Sequence, residues 1–275
     1  MHPIFSGPLT VENLTLTVDN LPPELRGMKI TQFSDFHYDG VKLSEELLGE
    51  AIQTSNSVHP DLVVLTGDFI TYDPKPIYTL VKRLKLLQAR KGIYAVLGNH
   101  DSYYDSVKSR IIKALTDTGI QVLSNEVIYP LGKGLALVGL PDFWSAEFNP
   151  ASVFNDLDPQ LPRIVLSHQP DSAEVLQQWR VDLQLSGHTH GGQIVLPELG
   201  PLIAYQERAI MATPSWLREW IPLLQRKCDR IVKHWEWYAG LYQLNQNRLY
   251  VNRGLGTYPP GRLFCPPELT VITLI

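Results

Sequence analysis

The sequence predicts a layered α/β protein in which two sheets pack face to face with helices outside. Three observations carry this. Short apolar runs alternate with helical patterns as far as Gly119, the mark of strand–helix units. The second half is richer in strands than a single sheet of such units requires. The 275 residues, 44% hydrophobic and 19% charged, are an ordinary globular mixture long enough to bury a large core without staples. No internal repeat or low-complexity segment interrupts the pattern.

Taken in order, MKITQFSD reads as a strand ending at Asp35. LSEELLGEAIQTS places Leu47, Leu48, Ala51 and Ile52 on one helical face. DLVVLTGD is a buried strand ending at Asp68. PIYTLVKRLKLLQA is helical, and GIYAVLGNHD is a strand ending at Asn99. DSVKSRIIKALTDTG is a helix with Val107, Ile111, Ile112 and Leu115 inward and Gly119 at its C-terminal end. VLSNEVIYPLGKGLALVGLPD predicts two strands joined by a turn near Gly132 and Gly134. RIVLSHQP is a strand, and Asp171 and Glu174 are spaced as a capping box for the helix after it. VDLQLSGHTH, GLYQLNQNRLYVNRGLGT and ELTVITLI supply further strands.

Composition narrows the function classes. The net charge is −4 and the pI about 6.1, so no general nucleic-acid binder is expected. Cys228 and Cys265 are too few for a disulfide framework and lack zinc-finger spacing; they read as ordinary thiols in a reducing compartment. The N-terminus has no basic start followed by an apolar run, and no stretch approaches the ~18 apolar residues of a membrane span. The expected location is the cytoplasm.

The chemistry gathers at strand ends, where open α/β sheets bind ligands. Asp35 and His37 follow one strand, Asp68 a second, and Asn99, His100 and Asp101 a third. His168 follows a fourth, and His188 and His190 a fifth. Five of the eight histidines fall in these segments, which points to one shared site. Carboxylate, amide oxygen and imidazole are ligands of divalent metals, and there are enough here for two ions. Two metals about 3.5–4 Å apart hold the attacking and leaving oxygens in phosphate-ester hydrolysis. Gly67, Gly98, Gly187 and Gly191 let the backbone crowd such a site.

The ordered set Asp35-Phe36-His37, Gly67-Asp68, Gly98-Asn99-His100-Asp101, His168 and Gly187-His188-Thr189-His190 resembles the calcineurin-like binuclear metallophosphoesterases. All five blocks stand in the family's order and span most of the chain. The resemblance implies a four-layer α/β/β/α sandwich of two mixed β-sheets. It implies one metal on Asp35, His37 and His190, a second on Asn99, His168 and His188, and Asp68 as bridge. A hydroxide held between the metals would attack phosphorus in line. His100 would stabilise or protonate the leaving oxygen, with Asp101 orienting its ring or instead capping the next helix. Mn, Fe, Zn, Co and Mg all suit an O and N donor set.

SHQPD, GHTHGGQ and the stretch LYVNRGLGTYPPGRLFCPPEL resemble a bacterial branch of the family. That branch includes membrane-associated phosphodiesterases and a UDP-2,3-diacylglucosamine diphosphatase. The implied activity is a phosphodiesterase or diphosphatase on a lipid-linked or nucleotide-linked substrate. The alternatives are a phosphomonoesterase, protein phosphatases included, and a non-catalytic metal-binding scaffold. Several members of the branch begin with a membrane helix, and none is expected from the residues read here.

The chain reads as one domain over 1–275 with a Trp-rich amphipathic insertion at about 202–240. There Trp216, Trp220, Trp235 and Trp237 and Leu217, Ile221, Leu224 and Ile231 interleave with Arg218, Arg226, Lys227, Arg230 and Lys233. The pattern fits an interfacial helix in peripheral contact with the inner face of the cell membrane, a lid, or a packed surface helix. Arg253 and Arg262 either grip a second phosphate of the substrate or form salt bridges.

Overall fold

Strands that are apolar on both faces need cover on both faces, and the architecture supplies it. The structure, a computed structural model, describes residues 5–214 and 232–275. The first sheet holds β1 (Thr10–Leu16), β2 (Lys29–Phe33), β3 (Leu62–Thr66), β4 (Ile93–Val96), β5 (Ile120–Val122) and, from the far end of the chain, β14 (Glu268–Leu274). Their order is β1-β14-β2-β3-β4-β5. Only the β14–β2 pairing is antiparallel.

The second sheet holds β6 (Glu126–Ile128), β7 (Ala136–Gly139), β8 (Arg163–Leu166), β9 (Leu183–Ser186), β12 (Gly240–Leu244) and β13 (Asn247–Val251), in the order β12-β13-β9-β8-β7-β6. Its outer pairs, β12–β13 and β6–β7, are antiparallel and the inner ones parallel. A small antiparallel pair, β10 (Val195–Leu196) and β11 (Gly200–Pro201), follows the histidine turn.

Alternation along the strands builds the layers. Ile30, Leu62, Val64 and Ile272 of the first sheet meet Leu137, Ile164, Leu166, Leu183 and Leu185 of the second in one cluster between the sheets. Phe33, Val63, Leu65 and Ala95 face the other way, against helices α1 (Glu45–Ser57), α2 (Ile77–Leu84) and α3 (Asp105–Thr116). On the outside of the second sheet, Val138 and Val165 pack with Val153 and Phe154 of α4 (Ala151–Phe154) and Leu176 of α5 (Ser172–Leu176). Helix α6 (Leu202–Ala212) follows β11. The layers are thus helices, sheet, sheet, helices, as expected. Gln32 ties the sheets near the site, its amide donating to Ser186 O at 2.9 Å and Thr66 Oγ1 at 3.0 Å.

Four details depart from the sequence reading. The edge strand β1 was not anticipated; its side chains are mostly half-exposed, so its apolar signal is weak. Helix α2 stops at Leu84, because Asn56 holds the chain beyond it by donating to Leu86 O and accepting from Gln88 N–H, both at 2.8 Å. The Asp171–Glu174 capping box does not form. Asp171 instead accepts the N–H groups of Lys233 (2.6 Å) and His234 (3.0 Å), and Glu174 pairs with Lys233 Nζ. In the Trp-rich segment, Trp216, Leu217, Arg218, Trp220, Ile221, Leu224, Arg226, Lys227, Arg230 and Ile231 lie outside the described residues, and with them the expected interfacial helix. Trp237 is buried with Ala173, Leu249 and Val251, and Trp235 Nε1 donates to Glu207 Oε2 of α6 at 2.6 Å. No described helix is long and apolar enough to cross a membrane.

Candidate metal centre

Each expected donor sits where a parallel strand stops and its chain turns. Asp35 and His37 follow β2, Asp68 follows β3, Asn99 and His100 follow β4, His168 follows β8, and His188 and His190 follow β9. The two sheets bring these ends together. Asp35, Asp68, His168, His188 and His190 are all buried. Polar groups this deep need partners or a counter-charge.

The backbone is bent to aim them. Asp35 (φ 51°), His37 (40°), Asp68 (56°), His188 (72°) and His190 (51°) all occupy the left-handed region. That conformation is disfavoured for residues with a Cβ, and its concentration here marks a functional site. The turns also run very close. A Cβ on Gly98 would collide with the Asp68 carboxylate, and one on Gly187 with Ser34 Oγ and Asp35 Oδ2.

Two groups of donors form. In one, His190 Nε2 lies 3.0 Å from His37 Nε2 and 3.5 Å from Asp35 Oδ1. In the other, His168 Nε2 lies 3.1 Å from Asp68 Oδ2 and 3.2 Å from His188 Nδ1. Asp68 Oδ2 is also 3.4 Å from His37 Nε2, so its carboxylate touches both groups. His188 and His190, one residue apart, belong to different groups because Thr189 between them is helical while both histidines are left-handed.

The hydrogen bonds settle which ring nitrogens carry protons. His168 Nδ1 donates to Thr66 O (2.6 Å) and His190 Nδ1 to Gly256 O (3.1 Å), since a carbonyl can only accept. In the neutral rings both Nε2 atoms therefore present lone pairs, that of His190 toward Asp35 and His37 and that of His168 toward Asp68 and His188. Such a convergence is repulsive unless a cation lies among the atoms. Asn99 Oδ1 is buried with no hydrogen-bond partner, a further acceptor waiting for a positive group. The donor set thus fits divalent metal ions, with Asp35, His37 and His190, and Asp68, His168 and His188, each close enough to share one.

Electrostatics agree. Burial opposes charge on His168, but the Asp68 carboxylate outweighs it and carries the ring up to about 10. Burial would raise Asp68, yet His168 and His37 hold it well below the usual carboxylate range. His190 goes the other way: burial, the His37 ring and Arg262 hold it well below the ordinary imidazole value.

His100 stands beside these groups, its ring edge-on to His37 at 4.9 Å. Its N–H donates to Asp68 Oδ1 (3.0 Å) and its Nδ1 to Thr71 O (2.7 Å). Burial lowers its pKa. Asp101 neither orients this ring nor caps α3, which starts after Tyr104. Its buried carboxylate accepts the N–H groups of Phe69 (2.9 Å), Ile70 (3.3 Å) and Gly98 (3.0 Å), stitching the loop after β3 to the loop after β4. Burial and the nearby Asp68 carboxylate push its pKa up to about 7.

For the two arginines the structure favours protein contacts over a phosphate grip. Arg262 is buried and spends its donors on protein, reaching Thr257 Oγ1 (2.9 Å) and the carbonyls of His190 (3.2 Å), Arg253 (2.8 Å) and Gly256 (2.7 Å). Arg253 pairs with Glu12 Oε1 (2.7 Å) and Glu268 Oε2 (3.0 Å). Both guanidinium groups are thus engaged by the protein itself. The residues the sequence did not reveal are mostly carbonyls, of Thr66, Thr71 and Gly256, together with the Tyr258 hydroxyl, 3.1 Å from His37 Nδ1. A backbone acceptor has no residue signature to find.

Known proteins are similar to this chain. The calcineurin-like phosphoesterase family matches residues 28–192. Phosphodiesterase YaeI of Escherichia coli is 32% identical over 94% of this chain and 84% of that protein. The metallophosphoesterase YkuE of Bacillus subtilis is 33% identical over 94% of this chain and 83% of its own length. The UDP-2,3-diacylglucosamine pyrophosphatase LpxG of Chlamydia muridarum is 30% identical over 90% of this chain and 84% of its own length. With the five donor blocks, the paired sheets and these relatives together, the chain belongs to the calcineurin-like phosphoesterase family and is a metal-dependent phosphoesterase.

Proposed function

We propose that the protein hydrolyses phosphodiester or diphosphate bonds in a lipid-linked or nucleotide-linked substrate, with UDP-2,3-diacylglucosamine as the leading case. The observation that carries the reading is the Asp68 carboxylate, in reach of both His37 and His168 and so able to join two ion sites. The relatives support the bond type, since one is named a phosphodiesterase and another a UDP-2,3-diacylglucosamine pyrophosphatase.

In this reading Asp35, His37 and His190 hold one ion, Asn99, His168 and His188 the other, and Asp68 both. Bound divalent ions neutralise phosphate charge and supply a nucleophile at neutral pH. The protein's own share is orientation and proton transfer. Thr66 and Gly256 carbonyls fix the His168 and His190 rings so that Nε2 points inward. Thr71 O fixes His100 through Nδ1–H, so Nε2 can hand a proton to the leaving oxygen only from the imidazolium form, whose acidity burial increases. The reading takes residues 1–275 as one domain, working in the cytoplasm or at the inner membrane face where a lipid-linked substrate is met.

The test is a pair of rates on Mn-loaded protein, with bis(p-nitrophenyl) phosphate as the diester and p-nitrophenyl phosphate as the monoester. A diester preference of about tenfold or more in kcat/KM is expected. Release of UMP from UDP-2,3-diacylglucosamine then tests the leading substrate. A monoester preference overturns the reading.

A further inference from the structure

His100 does not stand alone at the rim of the site. Tyr72 lies 5.5 Å from its ring centroid at 64°, and Tyr103 lies 6.1 Å away at 58°. Tyr104 extends the row, 6.2 Å from Tyr103. These rings are 73%, 64% and 70% exposed for Tyr72, Tyr103 and Tyr104. Large aromatic rings left that open contribute little to the core, so their grouping around one histidine calls for another cause.

They come from two different loops. Tyr72 follows Asp68 by four residues in the loop after β3, and Tyr103 follows Asn99 by four in the loop after β4. Asp101 binds these loops together through Phe69, Ile70 and Gly98 N–H groups. The Thr71 carbonyl that holds His100 immediately precedes Tyr72. The same bonds that set the His100 ring therefore set the rings on either side of it.

We propose that Tyr72 and Tyr103 form the subsite for the leaving arm of the substrate and select arms that carry a flat π-faced group, a nucleobase or an aryl ring. The inference rests on His100 as the acid of the proposed hydrolysis. The leaving oxygen must lie within hydrogen-bond reach of that ring, so the group attached to it emerges between the tyrosines. Aromatic faces hold flat rings by stacking, and do so without reading base identity.

The test compares Tyr72→Ala, Tyr103→Ala and the matching Phe variants on two diesters with the same leaving group. In bis(p-nitrophenyl) phosphate both arms are aromatic; in methyl p-nitrophenyl phosphate only the leaving arm is. The Ala variants are expected to raise KM about tenfold on both esters, with kcat changed less than KM, metal content intact, and the Phe variants near wild type. An increase on the bis ester alone would place the rings against the other arm and overturn the proposal. Unchanged KM values would overturn it too. Inhibition by UMP, ribose 5-phosphate and phenyl phosphate separates the two sources. A nucleobase subsite makes UMP about tenfold better than ribose 5-phosphate in wild type, a margin that disappears in Tyr72→Ala. An aryl subsite gives that advantage to phenyl phosphate instead. If wild-type protein hydrolyses neither ester, it is the hydrolase reading that fails, before the tyrosines are tested.

Discussion

On one side of Asp68, the His37–His190 pair stands on left-handed backbone and has the buried Arg262 guanidinium behind it. On the other, where His188 is left-handed too, His168 follows β8 and faces the Asp68 carboxylate at 3.1 Å, with the unpartnered Asn99 oxygen among the expected donors. Burial is alike on both sides, yet His190 is held well below the ordinary imidazole value while His168 is carried up to about 10. Charge neighbours, not depth, make the difference. A cation on the His168 side must displace the ring's proton, whereas the His190 ring is already held neutral.

The largest expected effect removes the element both sides share. Asp68→Ala should lose both ions and about a thousandfold or more in kcat/KM, read by metal analysis and diester hydrolysis. Two retained ions would break the idea of a joined pair. His100→Ala should leave both sides loaded and lower kcat by about 10²–10³, most for poor leaving groups. An equal loss for activated and unactivated esters would count against the acid role.

Arg262→Gln sharpens the contrast. It removes the donor that shares Gly256 O with His190 Nδ1, and should weaken one ion by about 10–100-fold while sparing the other. Arg262→Lys, which keeps the charge, and a circular dichroism spectrum guard against simple unfolding. Equal weakening of both ions would show that the two sides are not separately built.

The smallest effect is in metal-free protein. His168 has its folded pKa raised to about 10, against about 6.5 unfolded. Its protonated ring thus contributes stability that is fully present below about pH 6.5 and is lost as pH rises through about 10. The Tm of the metal-free protein should fall by roughly 5 °C between pH 7 and 10, and His168→Asn should flatten that slope. A bound ion displaces the same proton, so loaded protein should show a weaker dependence. A metal-free Tm flat across this range would remove the electrostatic half of the comparison.

Much of the fold was legible because local patterns carried it. Leu47, Leu48, Ala51 and Ile52, read as one helical face, are all buried on α1. Ile111 and Leu115 are buried on α3, with Val107 and Ile112 packed partly against the same core. Legibility failed where a side chain found a distant partner. Asp171 and Glu174 have capping spacing, but residues 233 and 234 lie against them and take both carboxylates. Of the two readings open for Arg253, the sequence could not choose the ion pair, because its partner Glu12 lies more than 200 residues away.

The sequence alone determined which residue types stand at which strand ends, because periodicity and strand length are local and a ligand's chemistry belongs to its side chain. Five ordered blocks of Asp, Asn and His therefore announced a metal centre before any contact was known. Only the tertiary structure decided the pairings. It turned Asp101 into a stitch between loops and Arg262 into a backbone clamp, and set Tyr72 and Tyr103 beside His100. Those outcomes depend on which backbone carbonyls and N–H groups the two packed sheets bring within about 3 Å, and such groups are identical in nearly every residue.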